Sequence, residues 1–353
     1  MDFVLEKQLD NELFKKLYRY FLETHSLTIL QFKHEKPILR ITPLKDQKIG
    51  VSKWKWILMA MTTITVFLTG YGLLESFSRL GNIIGLEYGP LEIMFFSISY
   101  TFLFLIALGL HEYGHILISR RSGVRIEGPI FIPAPPIQLG FIGTLGAIIF
   151  MKTLPPSRKD LARLGISGPL TGFIIATVIG IIGVLISPSI PVEMAKTLVE
   201  RGEAGFLPFT TLAFELLLLL RADLNEGKLL LIHPLLFITY VLYLVTFLNL
   251  LPIGQLDGGH VLRSVLSQDR YKVIGISTPI LLLAIGFAMS MLGYGGGYYI
   301  FLSMISFFLY FMTGGGKHPG AANQYDDSSC KLCLLLYAIL LILTLPVPIL
   351  LWL

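Results

Sequence analysis

His111-Glu112-Tyr113-Gly114-His115 closes an apolar run: Met94 to Leu110 carries no charged residue, and Arg120 and Arg121 follow. On a helix, residues four apart share a face, so both imidazoles reach one metal ion with the glutamate beside them, the HExxH arrangement of a zinc-binding helix. At 1.5 Å per residue, His111 lies about 13 Å in from those arginines. Ionisable groups at membrane depth are costly and mark function. The chain is therefore expected to fold around a metal site inside a bilayer.

Composition agrees. The chain is 54% hydrophobic and 14% charged, with a mean hydropathy of +0.72, which fits a polytopic membrane protein and not a soluble domain. Apolar segments run from Trp54 to Leu74, Leu91 to Ser119, Leu164 to Ile186, Pro234 to Leu251, Val273 to Leu292, Tyr298 to Met312 and Leu332 to Leu353. Most approach the roughly 20 residues that cross a bilayer. An all-α polytopic membrane protein of about seven transmembrane helices follows. With the N-terminus inside, the inward segments hold 23 of the 28 lysines and arginines, eleven of them within residues 1–55. Only Arg79, Lys196, Arg201, Arg221 and Lys228 fall outside. That positive-inside bias places the N-terminus in the cytoplasm and the C-terminus outside a multi-pass cell-membrane protein. The net charge of +5 reflects this topology and can touch anionic lipid. No feature points to nucleic acid.

Residues 1–50 read as a small cytosolic α+β appendage, and 51–353 as the transmembrane domain. In the appendage Leu13, Leu17 and Phe21 have helical spacing within Asn11 to Glu23, and Leu27 to Thr42 alternates like short strands. It carries neither a signal-like apolar core nor a cleavage site, so no removed presequence is expected. Between the second and third spans, Val124 to Lys152 is apolar but broken by eight glycines and prolines from Gly128 to Gly146. Proline density excludes a straight helix and favours extended backbone. Two readings are open, a membrane-dipping β loop beside the metal site or an amphiphilic surface hairpin. Leu212 to Leu220 is too short to span and reads as an interfacial helix. Cys330 and Cys333 read as two small apolar residues at a helix start, half a zinc site at most.

A catalytic zinc keeps three protein ligands and an open position for water. His111 and His115 supply two. The other carboxylate at a span end is Asp257, within Asn249-Leu250-Leu251-Pro252-Ile253-Gly254-Gln255-Leu256-Asp257-Gly258-Gly259-His260. Both spans run from outside to inside, so the two motifs arrive on the same side. Glu112 is placed to take a proton from zinc-activated water and pass it to a leaving amine, the chemistry of peptide hydrolysis. Gly258 and Gly259 are expected to form a tight turn aiming Asp257 at the histidines. Gly165, Gly168 and Gly172 suit close helix approach. His260 reads as interfacial or as supporting the ligands, His318 as a surface loop residue, and His233, before Pro234, as a cap. Rival readings are a catalytically silent membrane scaffold and a metal transporter built on the same residues. Retention of Glu112 argues against the first, and the scarcity of further polar ligands along other spans against the second.

These motifs resemble the site-2 protease family of intramembrane zinc metalloproteases, whose pattern is HExxH on one span and an NxxPxxxLDG-type sequence on a later one. His111 to His115 and Asn249 to Gly258 match both, and Gly143 to Ala147, Gly165 to Gly172, Gly314 to Gly316 and Pro346 to Pro348 extend the likeness over roughly residues 50–353. It is similar to the PDZ-lacking branch of chloroplasts, cyanobacteria and archaea. The resemblance implies zinc held by His111, His115 and Asp257, Glu112 as acid/base, Asn249 holding substrate, and a membrane-dipping β-structured loop after the HExxH helix. It also implies transmembrane protein substrates cut within their spans, in regulated intramembrane proteolysis. Oligomeric state is not readable.

Overall fold

Apolar spacing and end caps account for where the helices begin and stop. In the computed structural model, which describes all residues except 34, 45–52, 222, 225–226, 294–295 and 348–353, strand β1 (Asp2–Val4) precedes helix α1 (Asn11–His25). Asp10 caps α1, accepting the Glu12 N–H at 3.0 Å, and the helix stops at Ser26, whose φ of 51° is left-handed. Strands β2 (Leu27–Phe32) and β3 (Ile38–Pro43) complete an antiparallel sheet of order β1-β3-β2. Phe14, Tyr18 and Leu22, four residues apart, press one helix face onto Ile29 and Leu39.

This small unit is fastened to distant parts of the chain. Ala322 joins its apolar cluster and Leu154 packs beside it. The Tyr18 hydroxyl donates to the Leu154 carbonyl at 2.8 Å, and Arg125 donates to the Leu22 carbonyl at 2.8 Å. Lys15 pairs with Asp160 at 3.3 Å. Main-chain bonds join Gln31 to Ala322 and Gln324.

Helices α2 (Lys55–Ile83) and α3 (Pro90–Ser122) follow. Pro90 begins α3 in the first turn, where no N–H is missed, and Gly123 ends it at φ +71°. Strands β4 (Ile126–Pro133) and β5 (Thr144–Met151) form an antiparallel hairpin with Ile130 opposite Ile148, its register shifted twice in β4. The extended backbone expected from prolines and glycines is therefore present, and it lies on α2 and α3. Helix α4 (Arg158–Ile186) starts under a Ser157 cap and contains Pro169.

The segment after α4 is built of short pieces: β6 (Ser189–Pro191), α5 (Val192–Glu200), β7 (Thr210–Thr211), α6 (Leu212–Leu218) and β8 (Lys228–Leu230). β6 pairs with β8. Helix α7 (Pro234–Leu250) leads through an irregular turn to α8 (Asp257–Arg263), then α9 (Gln268–Met291), α10 (Gly297–Met312), α11 (Lys331–Thr344) and β9 (Pro346–Val347), which pairs with β7. His233 caps α7 as expected, its Nδ1 accepting the Leu235 N–H at 3.1 Å.

Among the described residues α2, α3, α4 and α9 are long and apolar enough to cross a membrane, while α7, α10 and α11 are shorter apolar helices. Exposed Phe95, Phe102, Phe301, Phe308 and Phe311 give α3 and α10 outward faces suited to hydrocarbon. The chain is thus a mostly helical multi-pass membrane protein with a few small sheets.

Several local expectations are corrected. α11 ends at Thr344 and passes into β9, so the apolar segment beginning at Leu332 is not one unbroken helix, and its end at 348–353 lies outside the described residues. α6 packs Ala213, Phe214, Glu215, Leu217 and Leu218 into the protein and leaves Leu212 and Leu216 exposed. Cys330 and Cys333 are joined in a disulfide. Phe14 is fully buried and Leu13 is 47% exposed. Phe14→Ala should therefore destabilise the 1–43 unit by about 3–5 kcal/mol, read as faster limited proteolysis within residues 1–43 of the intact chain, while Leu13→Ala leaves that rate unchanged.

Candidate metal centre

The site is assembled by helix packing. His111 and His115 stand one turn apart on α3, their ring centroids 5.1 Å apart. From α8, Asp257 brings Oδ2 to 3.3 Å from His111 Nε2 and Oδ1 to 3.2 Å from His115 Nε2. The three donor atoms lie within 4.8 Å of one another. A tetrahedral ion with bonds of 2.0–2.1 Å sets neighbouring donors about 3.3 Å apart. The spacing therefore fits such an ion, and two imidazoles with one carboxylate form a borderline donor set for a first-row divalent metal.

Backbone geometry fixes which histidine nitrogen is free. His115 Nδ1 lies 2.9 Å from the Leu164 carbonyl, which can only accept. Nδ1 thus carries a proton, which leaves Nε2, on the side of Asp257, as the nitrogen that can bind a metal, the support common behind metal-binding imidazoles. Ser167 Oγ donates to the same carbonyl at 2.8 Å.

The expected close approach of α4 is present at all three glycines. A Cβ on Gly168 would fall 2.0 Å from His115 Nε2, one on Gly172 2.9 Å from His111 Nδ1, and one on Gly165 2.6 Å from the Asp257 carbonyl. Gly114 of α3 meets the Ser167 carbonyl in the same way.

Gly258 and Gly259 do not form the expected turn. They lie inside α8, where Gly258 packs onto the Leu250 carbonyl and Gly259 onto the Tyr271 hydroxyl. The bend falls earlier, at Gly254, with φ +52°. Its carbonyl accepts from the Tyr271 hydroxyl at 2.6 Å. So α8 folds back tightly on the end of α7, and Asp257, its first residue, is directed at α3.

Glu112 is buried. It lines a cavity of about 50 Å³ with His111, Gly172, Thr246, Asn249 and the β5 residues Leu145, Gly146 and Ala147. A water needs about 10–15 Å³ on this measure, so a few fit. Asn249 and Thr246, one turn apart on α7, are the polar wall opposite Glu112. Gln255 is exposed and is not among the residues lining that cavity.

His260 and His318 form a buried pair, Nδ1 to Nε2 at 2.7 Å. His318 is 4% exposed, not a surface residue. Burial pulls His260 down to about 4. His318 Nδ1 accepts the Gly320 N–H at 2.9 Å, so its Nε2 is the nitrogen that donates to His260 Nδ1, and that bond ties the 313–330 segment to α8. The sequence left three contributors unseen: the Leu164 carbonyl, which no side-chain pattern announces, Tyr271, and Thr246, whose spacing of three from Asn249 was the available signal.

Similarity to known proteins bears on this site. The family model described as peptidase family M50 matches residues 99–293, which include His111, Glu112, His115, Asn249 and Asp257. The chain belongs to this family, that of the site-2 proteases. It is 26% identical over 269 residues to the probable zinc metalloprotease EGY2, chloroplastic, of Arabidopsis thaliana, covering 74% of this chain and 44% of that protein. It is 26% identical over 226 residues to zinc metalloprotease MJ0392 of Methanocaldococcus jannaschii, covering 63% and 51%. With the probable zinc metalloprotease EGY1, chloroplastic, of Oryza sativa subsp. japonica it shares 31% identity over 176 residues, 49% of this chain and 28% of that protein. The chain thus spans about half the length or less of these relatives. No solved structure matches.

Gly168→Ala should sharply reduce metal content measured by mass spectrometry after equilibration with zinc, since its methyl group occupies the space of His115 Nε2. Gly109→Ala, with nothing within 4 Å of the added carbon, should leave metal content unchanged.

Proposed function

We propose that this protein is an intramembrane zinc metalloendopeptidase that hydrolyses peptide bonds within transmembrane segments of other membrane proteins. The observation that carries this reading is the convergence of His111, His115 and Asp257 on one point, with Glu112 beside it in a cavity walled by a β-strand. Zinc is the ion proposed for the three donors, and its relatives' names support that choice. When bound, zinc lowers the pKa of a water at its open position toward about 7 and polarises the carbonyl under attack.

The chain's own groups do the rest. His111 and His115 offer neutral nitrogens, the second held in tautomer by the Leu164 carbonyl. Asp257 contributes the charge that partly neutralises the ion. Glu112 takes the proton of the attacking water on its carboxylate and returns it to the departing amine nitrogen, so no free proton is needed from the bilayer. Asn249 offers an amide to hold the unwound substrate backbone. β5 is the proposed guide for that backbone: a substrate helix must give up internal hydrogen bonds before its carbonyl is accessible, and a strand edge compensates for them.

The same reading sets the topology at seven crossings, with α7, α10 and α11 completing the count. It places the N-terminus and the 1–43 unit in the cytoplasm, the C-terminus outside the cell membrane, and the β4–β5 hairpin dipping into the membrane from the cytosolic side. Residues 1–50 and 51–353 are the proposed domains, and lipid is the surrounding partner.

The deciding experiment is cleavage of a detergent-solubilised single-span substrate by the purified chain. Glu112→Gln should lower the rate by about 10²–10⁴-fold while zinc content stays at one per chain, and a chelator should abolish cleavage reversibly. Activity surviving both treatments contradicts the proposal. Leu145→Pro should suppress cleavage of the helical substrate with metal content intact, and equal turnover by that variant would remove the role given to β5.

A further inference from the structure

A second cavity, of about 330 Å³, lies at the other end of the bundle and shares no lining residue with the metal centre. Its size falls in the range of small-molecule sites, about 300–1,000 Å³. It is formed between the end of α2, the segment around α5 and α6, β8 and the first turns of α7. Along α7, Phe237 on its wall is twelve residues from Asn249, or about 18 Å. The metal chemistry makes no use of it.

Its lining is aromatic and acidic. Phe77, Phe206, Phe214 and Phe237 present rings, and the only charged groups among the described lining residues are Glu203 and Glu215. Glu203 is exposed at the rim. Glu215 is different: it is 6% exposed, and no basic side chain stands beside its carboxylate on the described lining. Thr210, also on the lining, sets its buried hydroxyl beside that carboxylate. A buried carboxyl without a counter-ion is costly, and such groups call for an explanation. Burial raises the Glu215 pKa, the Thr210 hydroxyl opposes that shift, and an approaching cation would stabilise the ionised form further.

We propose that this cavity binds a small apolar organic cation, a primary amine on a hydrocarbon body, with its ammonium paired to Glu215 and its body against the phenylalanine rings. The ammonium supplies the counter-charge that Glu215 lacks on the described lining, and the rings favour a cation by their negative faces. A fatty acid would set carboxylate against carboxylate. A zwitterionic phospholipid would bring a phosphate for which no basic side chain stands on the described lining. The site is independent of the peptidase reading, since neither cavity borrows a residue from the other.

The test uses the full chain in phosphatidylcholine nanodiscs, photolabelled with a medium-chain primary alkylamine carrying a diazirine and, separately, with the alcohol of the same chain length. Labels are mapped by mass spectrometry. The amine should label residues 203–218 and 229–237 about tenfold more than the alcohol, and Glu215→Gln should reduce the amine signal there about tenfold, with unlabelled amine competing. Equal labelling of the cavity by amine and alcohol overturns the proposal, as does undiminished amine labelling in a folded Glu215→Gln variant. If that variant does not fold, the comparison of amine with alcohol on the unaltered chain decides alone.

Discussion

The structure depends on how closely α4 approaches α3 and α8. Within a bilayer, apolar side chains gain little by leaving lipid for protein, so helices are held by close backbone packing and by polar contacts. In α4 the glycines at 165, 168 and 172 follow the spacing of one helix edge, and that edge runs past all three donor residues in turn. Because α3 and α4 run in opposite directions, Gly172 faces His111 and Gly168 faces His115, while Gly165 lies beneath α8. The imidazoles occupy the room that α4 side chains would otherwise take. Any methyl group on this edge therefore competes with a donor for the same volume, and the metal centre and the helix interface are one feature.

Asp257 poses the opposite problem, since it stands after the end of α7, where broken backbone among apolar helices leaves polar groups to be paired. Several of those groups are paired. The Leu251 N–H donates to Leu248, the Ile253 N–H to Leu251 and the Leu256 N–H to Ile253. The Gly254 carbonyl is taken by Tyr271. Irregular backbone is tolerated among apolar helices where protein pairs its polar groups, and these bonds come from the turn itself and from α9. The reward is a carboxylate at the start of α8, set opposite the histidines with α4 packed behind it.

What could be read from the sequence was what short spacing encodes. HExxH places two imidazoles on one face by helical geometry alone, and the direction of the spans brought Asp257 to the same side. The glycines announced a close approach without naming what approached. The long-range partners were hidden. His318 could not be assigned because His260, its partner, lies 58 residues away, and a histidine beside proline in a polar loop carries no mark of burial. Gly258-Gly259 read as a turn because paired glycines usually permit one. Here each lacks a side chain because carbonyls of α7 and its following turn occupy the space. For α6, eight apolar residues and Glu215 before Arg221 gave no sign of which face packs inward; the structure buries the face of Phe214, Glu215 and Leu218 and exposes that of Leu212 and Leu216.

The hairpin shows how packing joins the site to a helix that contributes nothing to it. Thr65 Oγ1 donates to the Gly143 carbonyl at 2.6 Å, Thr69 Oγ1 accepts the Ile137 N–H at 3.2 Å, and Gln138 Nε2 donates to the Leu68 carbonyl at 3.0 Å. A Cβ at Gly143 would sit 2.7 Å from the Thr65 carbonyl, so its φ of +84° is set against α2 with no room to spare. Three hydrogen bonds and one backbone contact thus fix the tip of the hairpin to one turn of α2, while Leu145 to Ala147 face Glu112 and His111 across the small cavity. Enlarging that cavity by moving the hairpin and its tip away from α2 would break all three bonds, whereas moving α2 and the hairpin together breaks none. The two elements accordingly form one body, and the width of the space in front of Glu112 is governed by where α2 packs on α3.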